Sequence, residues 1–472
     1  MTILPRDWRG FEVVWRPCLR VSTMLKCASF VNCFSLKALR HFLPLRAPAL
    51  SNPVIVRDVL DNGLRLLTEK MTQVRSVSIG VWLTRGSRHE SAERGGIAHF
   101  VEHMLFKGTS SRTAEDIAQA IDSIGGQLDA FTAKEYASYY IKVLDEHLPL
   151  AMDILSDIVR NPAFTPDDIE REKKVVVEEI KMVEDTPDDL VHELFTQGFW
   201  ENHPLGRPIL GTRETVESFN SDLLRSYFVN AYTPKNLIIS AVGNIEHARV
   251  RELVDEKFGS LKPNNEVLPD DVPRVVPKTL IRNKELEQSH ICVGVDSYPQ
   301  KHEDRYASYV LNTLLGGSMS SRLFQNVREK RGLAYAVFSG LSAYRDAGSF
   351  TVYAGCSNEA VGQVIDLVVE ELRTVKKNAV PQPELQRSKD HLKGSLMLSL
   401  ESTSSRMSHL ARQEIYFDRQ FGLDETLAGI EKVTVADVQR VAGDLFKNGS
   451  LAATVLGNVN GLEIPKERLD LG

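Results

Sequence analysis

The chain has 472 residues, of which 42% are hydrophobic and 25% charged, with a formal net charge of −6. That length exceeds one ordinary core, so two or more domains are expected. The acidic balance argues against a nucleic-acid binder, which needs a basic face to neutralise phosphates. No apolar run is long enough to suggest membrane insertion.

Residues 1–52 hold eight Lys/Arg against two acids, Asp7 and Glu12. This composition fits an organelle transit peptide or a disordered or spurious extension, and Lys37, Arg40 and Arg46 interrupt any secretory h-region. Cys18, Cys27 and Cys33 crowd this segment while Cys292 and Cys356 stand alone, so no disulfide framework is expected. Folded structure is expected from Val54. IVRDVLDNGLRLLTEK places a DNG turn between two alternating runs, a hairpin signal. Residues 75–87 read as a buried strand, 114–126 as a helix ending on Gly125-Gly126, and 127–144 as strand again. The Thr-Pro-Asp-Asp at 165–168 is an N-cap signature for a long helix running to 185.

NLIISAVGNI (236–245) and SLAATVLGNV (450–459) align without gaps, each an apolar strand closed by Gly-Asn. The Pro-, Asn- and Asp-rich segment between them reads as a linker. The expected organisation is an extension (1–52), a first domain (54–262), a linker (263–277) and a homologous second domain (278–472). Strands mixed with long helices, without strict alternation, give the fold class α+β. Each domain is expected to be a sandwich of a mainly antiparallel sheet with helices packed on one face.

Residues 95–109, GGIAHFVEHMLFKGT, set His99, Glu102 and His103 among apolar neighbours. Residues four apart on a helix are turned by about 40°, so both imidazoles share a face suited to one tetrahedral metal. Glu102 falls on the same side, where it can reach a water without being a ligand; H-x-x-E-H is the inverzincin order. Unpartnered imidazoles and a carboxylate are costly to bury, which makes the apolar setting informative. A third ligand is needed, and the acidic helix offers Glu172 and Glu179, seven apart and about 20° from one another. Glu178 is turned about 100° away from Glu179. One of the pair can bind metal while the other orients a ligand histidine; the spacing alone does not choose between them.

The combined pattern G-G-x-A-H-F-x-E-H-M-x-F-K-G-T, followed by E-R-E-K-x-V-V-x-E-E-I, resembles the pitrilysin family of inverzincin metallopeptidases. That family includes insulin-degrading enzyme, the mitochondrial processing peptidase and bacterial single-gene zinc proteases, and the resemblance to the last is strongest. It spans Asp58 to Val459. It implies a zinc endopeptidase acting on unfolded or short peptides, with one Zn2+ per chain held by His99, His103 and Glu179. Glu102 would be the general base and Glu172 the carboxylate that orients a ligand histidine. The second half lacks the motif, but Phe324, Arg328 and Tyr335 fit family positions that face the active site, the last two donating to the substrate carbonyl and the oxyanion. Asp129 and Ala130, in LDAFTAKE, resemble the sheet edge that accepts substrate as an added strand.

The family precedent implies a homodimer or a partner subunit of the same family. It also implies a bacterial cytoplasmic location, or the mitochondrial matrix if residues 1–52 are a presequence. A presequence-processing subunit or a non-catalytic scaffold are the competing readings.

Overall fold

The computed structural model describes residues 55–263 and 271–472. The expected 1–52 extension and residues 264–270 of the expected linker lie outside the described residues.

The DNG turn works as expected. Strands β1 (Ile55–Val59) and β2 (Arg65–Lys70) form the hairpin, and Gly63 has the positive φ of 90° that the turn requires. After β3 (Ser76–Leu83) come α1 (Ile97–Leu105) and α2 (Ala114–Asp122). The stretch 127–144 is two strands rather than one, β4 (Gln127–Thr132) and β5 (Ala137–Leu144), with a reversal at 133–136. Then follow α3 (Leu148–Arg160), α4 (Pro166–Glu184), α5 (Pro187–Phe199), α6 (Arg213–Ser218), α7 (Ser221–Ala231), β6 (Leu237–Gly243) and α8 (His247–Phe258).

The second half repeats the scheme. It comprises β7 (Thr279–Asn283), β8 (Gln288–Ser297), α9 (Arg305–Leu315), a π-helical segment at Phe324–Glu329, β9 (Ala334–Ala343) and β10 (Gly348–Ser357). Helices α10 (Val361–Lys377), α11 (Gln382–Ser399), α12 (Thr403–Phe417), α13 (Leu423–Glu431) and α14 (Val435–Leu445) precede β11 (Ala452–Gly457).

Two sheets result, in the orders β1-β2-β6-β3-β5-β4 and β7-β11-β8-β10-β9. Each is antiparallel except for one pair, β2 with β6 and β7 with β11. The repeated strands of the sequence are thus β6 and β11, each lying beside the parallel partner of its own sheet. Helices α3 and α8 cover one face of the first sheet, and α9, α10 and α14 one face of the second.

The opposite faces are also covered, each by a helix from the other half. Helix α12 packs on β3 and β6, where Met407, Leu410 and Ala411 meet Trp82, Ile238 and Val242. Helix α5 packs on β8 and β11, with Val191, Leu194 and Phe195 against Cys292, Ala452 and Leu456. Polar contacts reinforce the exchange. Arg57 makes bonds of 2.9–3.2 Å to Glu414 of α12, whose side chain is fully buried. Arg88, itself buried, joins Glu135 at 2.8 Å to Asp346 at 2.5–2.6 Å across the halves. A buried carboxylate is costly unless paired, so these bridges fix how the halves sit as well as closing their surfaces.

Candidate metal centre

Helix α1 starts at a left-handed glycine. Gly96 has φ 91°, and a Cβ there would come 2.5 Å from the Leu210 carbonyl oxygen, so only glycine fits. The N–H groups of Gly96 and Ala98 both donate to the Glu90 carboxylate at 2.8 Å, closing the helix N-terminus. Burial nonetheless pushes the Glu90 carboxyl up to about 8. Helix α4 is capped by Thr165, which accepts from the Asp168 N–H, and it carries Pro166 in its first turn. The two helices pack together, and that contact builds the site.

The His99 and His103 rings are 4.5 Å apart. Glu179 Oε2 lies 3.7 Å from His99 Nε2 and 3.4 Å from His103 Nε2. Zinc held at about 2.0–2.1 Å by tetrahedral donors requires donor separations near 3.3–3.4 Å, so these distances are close to the needed span. One ligand-capable atom from each of the three residues falls within 4.8 Å of the others, and this is the one such group of three or more among the described residues. His103 Nε2 is buried with no hydrogen-bond partner, as expected of a nitrogen reserved for a metal. Its Nδ1 donates to Glu172 Oε1 at 2.8 Å, which fixes the tautomer that turns the Nε2 lone pair toward the centre. The donor set fits zinc.

Electrostatics agree. Burial disfavours charge on His103, but Glu172, Glu179 and Glu102 outweigh it and raise its pKa to about 9. The pocket therefore favours a cation, which a proton supplies when no metal does. Burial also works against charge on Glu172. Bonds from His103 and from Lys107 Nζ, at 2.7 Å, prevail and hold its carboxyl below the usual range.

Glu102 is 2% exposed, and its Oε2 accepts the Thr132 hydroxyl at 2.6 Å. Thr132 closes β4, the edge strand that pairs with β5 alone. Asp129 and Ala130 lie on that same edge; Asp129 accepts the Tyr140 hydroxyl at 3.1 Å, and Ala130 is buried. Glu178 is exposed and pairs with Lys181 at 2.7 Å, turned from the centre as its helical position implied. Sequence reasoning missed Thr132 and Lys107. Lys107 stands inside the quoted motif, four residues after His103, but nothing local reveals that its ammonium reaches Glu172.

Phe324, Arg328 and Tyr335 come together as one cluster. The Arg328 guanidinium sits 4.7 Å from the Phe324 ring centroid and 5.6 Å from that of Tyr335, which is 69% exposed. Neither Arg328 nor Tyr335 hydrogen-bonds or ion-pairs with the His99–His103–Glu179 group. Tyr335 sits near the start of β9.

An interlocked pair of α+β units, with two imidazoles and a carboxylate converging beside a fourth, non-converging carboxylate, defines a metal-dependent hydrolase class. Family models agree: residues 65–213 match the insulinase family, peptidase family M16, and residues 218–392 match the peptidase M16 inactive domain. A Bacillus subtilis protein named uncharacterized zinc protease YmxG is 46% identical over 393 residues, covering 83% of this chain and 96% of the relative. A zinc protease of Mycobacterium leprae is 41% identical, covering 85% and 92%. The crystal structure of a protease from Helicobacter pylori superposes with a TM-score of 0.80 at 25% identity, covering 86% of this chain and all of that one. The chain belongs to the M16 family of zinc metallopeptidases.

Proposed function

We propose that the protein is a zinc endopeptidase that hydrolyses unfolded or short peptides, with one Zn2+ per chain held by His99, His103 and Glu179. The observation that carries this is the convergence of those three side chains beside Glu102, with Glu172 holding the far nitrogen of His103. Zinc, when bound, supplies the Lewis acidity that polarises the scissile carbonyl and acidifies a water. Glu102 takes the proton of the attacking water on a carboxylate oxygen and returns it to the leaving amine. The free edge of β4 accepts the peptide as an added strand, with Asp129 and Ala130 lining the scissile region. The division into domains at 54–262 and 278–472, joined by a linker, accords with the two sheets.

Arg328 and Tyr335 donate to the substrate carbonyl and oxyanion, with Phe324 stacked on the guanidinium. The interlocked halves support a trans arrangement: helices α5 and α12 fasten each chain into one block, so a second copy supplies these donors. The protein therefore works as a homodimer with composite sites. The bacterial relatives favour a cytoplasmic location over the mitochondrial matrix.

The test is complementation. Glu102→Gln should keep zinc yet lose activity by about 10⁴-fold, the upper size for a general base. Tyr335→Phe should lose about 10²–10³ in kcat with zinc unchanged. Mixed and reassociated, the two inactive variants should recover roughly a quarter of wild-type sites, because each mixed C2 dimer holds one intact composite site. No recovery despite subunit exchange would place the donors in cis or outside the mechanism, and zinc loss in Glu102→Gln would make that residue a ligand.

A further inference from the structure

Glu102 is a buried carboxylate whose orientation is held by a neighbouring strand. Its Oε2 accepts the hydroxyl of Thr132 at 2.6 Å, a short bond of the charge-assisted kind. The carboxylate is 2% exposed, so its orientation is set by protein groups and not by bulk water. Thr132 is the last residue of β4, paired opposite Ala137 of β5, with its other edge free. The same strand packs directly against α1, which bears Glu102. The hydroxyls of Tyr139 and Tyr232 lie 2.5 Å from one another; burial raises both, and the charge of Glu102 adds to it.

We propose that Thr132 is a positioning residue: its hydroxyl anchors Oε2 of Glu102 and so fixes the rotamer in which that carboxylate meets the attacking water. This rests on Glu102 being the base. A carboxylate on a three-torsion side chain otherwise samples several rotamers, and only some of them aim an oxygen at the reacting water. Because Thr132 belongs to the strand that receives the peptide, substrate alignment and base alignment share one rigid element. A strand shift that moved the scissile bond would move the base with it.

The experiment compares Thr132→Val, which keeps shape and strand preference but deletes the hydroxyl, with Thr132→Ser, which keeps the hydroxyl. Both are assayed on fluorescein-labelled casein and on a quenched fluorescent peptide, with zinc content and Tm measured alongside. Thr132→Val should lose about 10- to 100-fold in kcat, since a misplacement of about 1 Å costs up to that much. Its KM should stay within about twofold and its zinc content should not change. Thr132→Ser should recover most of the rate. Wild-type kcat in Thr132→Val would overturn the inference, as would an equal loss in Thr132→Ser or a loss expressed mainly in KM or zinc. Glu102→Gln runs as the control. If it is active, the base reading falls and the inference with it. If it is inactive beside a fully active Thr132→Val, the inference alone falls.

Discussion

The two halves are built from equivalent parts in equivalent order, yet among the described residues only the first carries a cluster of groups able to hold a metal. In the first half β3 leads to α1, and α4 packs across it; in the second β8 leads to α9, and α11 packs across it. Between α1 and α4 lie His99, His103, Glu172 and Glu179. The buried side chains of α9 are Ala307, Ser308, Val310, Leu311, Thr313, Leu314 and Leu315, and those of α11 are Leu385, Ser388 and Lys389, whose ammonium donates to the Glu431 carbonyl at 2.7 Å. The scaffold is therefore indifferent to the chemistry. An interface that is mainly apolar in one copy, its buried lysine satisfied by a carbonyl, is in the other given to groups that are costly to bury without a cation.

What the halves do share is dependence on each other, and the largest expected effect breaks that. A chain ending at Pro277 lacks α12, so it uncovers the Trp82, Ile238 and Val242 face and leaves Arg57 without Glu414. It should show no cooperative thermal transition and no fixed near-ultraviolet dichroism, even with zinc added. A sharp melt from that fragment would mean that the exchanged helix is dispensable.

Next in size is the contrast between neighbours on one helix. Glu179→Ala should weaken zinc binding by more than about 100-fold, beyond the range for an outer partner. Glu178→Ala should leave it unchanged, since that side chain is exposed and engaged by Lys181. Competition against a chelator measures both, and similar affinities would show that the third ligand lies elsewhere.

Removal of the carboxylate behind His103 should be milder. Glu172→Ala should cost about 10- to 100-fold in zinc affinity, and Lys107→Met less than that, because the lysine acts only through Glu172. A larger loss in Lys107→Met than in Glu172→Ala would reverse that order of dependence.

The last effect is a slope. His103 has its pKa raised to about 9, so below that pH the ring holds a proton that a metal must displace. Zinc affinity should rise by about tenfold per pH unit from 7 toward 9 and flatten above, and Glu172→Ala should move the bend to lower pH. A flat profile would mean that the carboxylates do not hold that proton.

The sequence alone determined the local parts. A DNG turn, a Thr-Pro cap, the i,i+4 spacing of His99 and His103 and the 214-residue echo of one strand in another are short-range patterns. Helical and strand periodicity translate them directly into geometry. The same periodicity put Glu172 and Glu179 on one stripe and turned Glu178 away.

Only the tertiary structure decided which stripe residue faces which nitrogen, because that depends on how α4 crosses α1. It also revealed Thr132 on Glu102, Lys107 on Glu172, and Arg88 bridging Glu135 to Asp346, contacts between residues 30 to 258 positions apart. Likewise, no periodicity in α5 or α12 announces that each covers the other half's sheet. An amphipathic pattern specifies that a helix has an apolar face, but which sheet receives it is settled by which one still has bare surface when the chain closes.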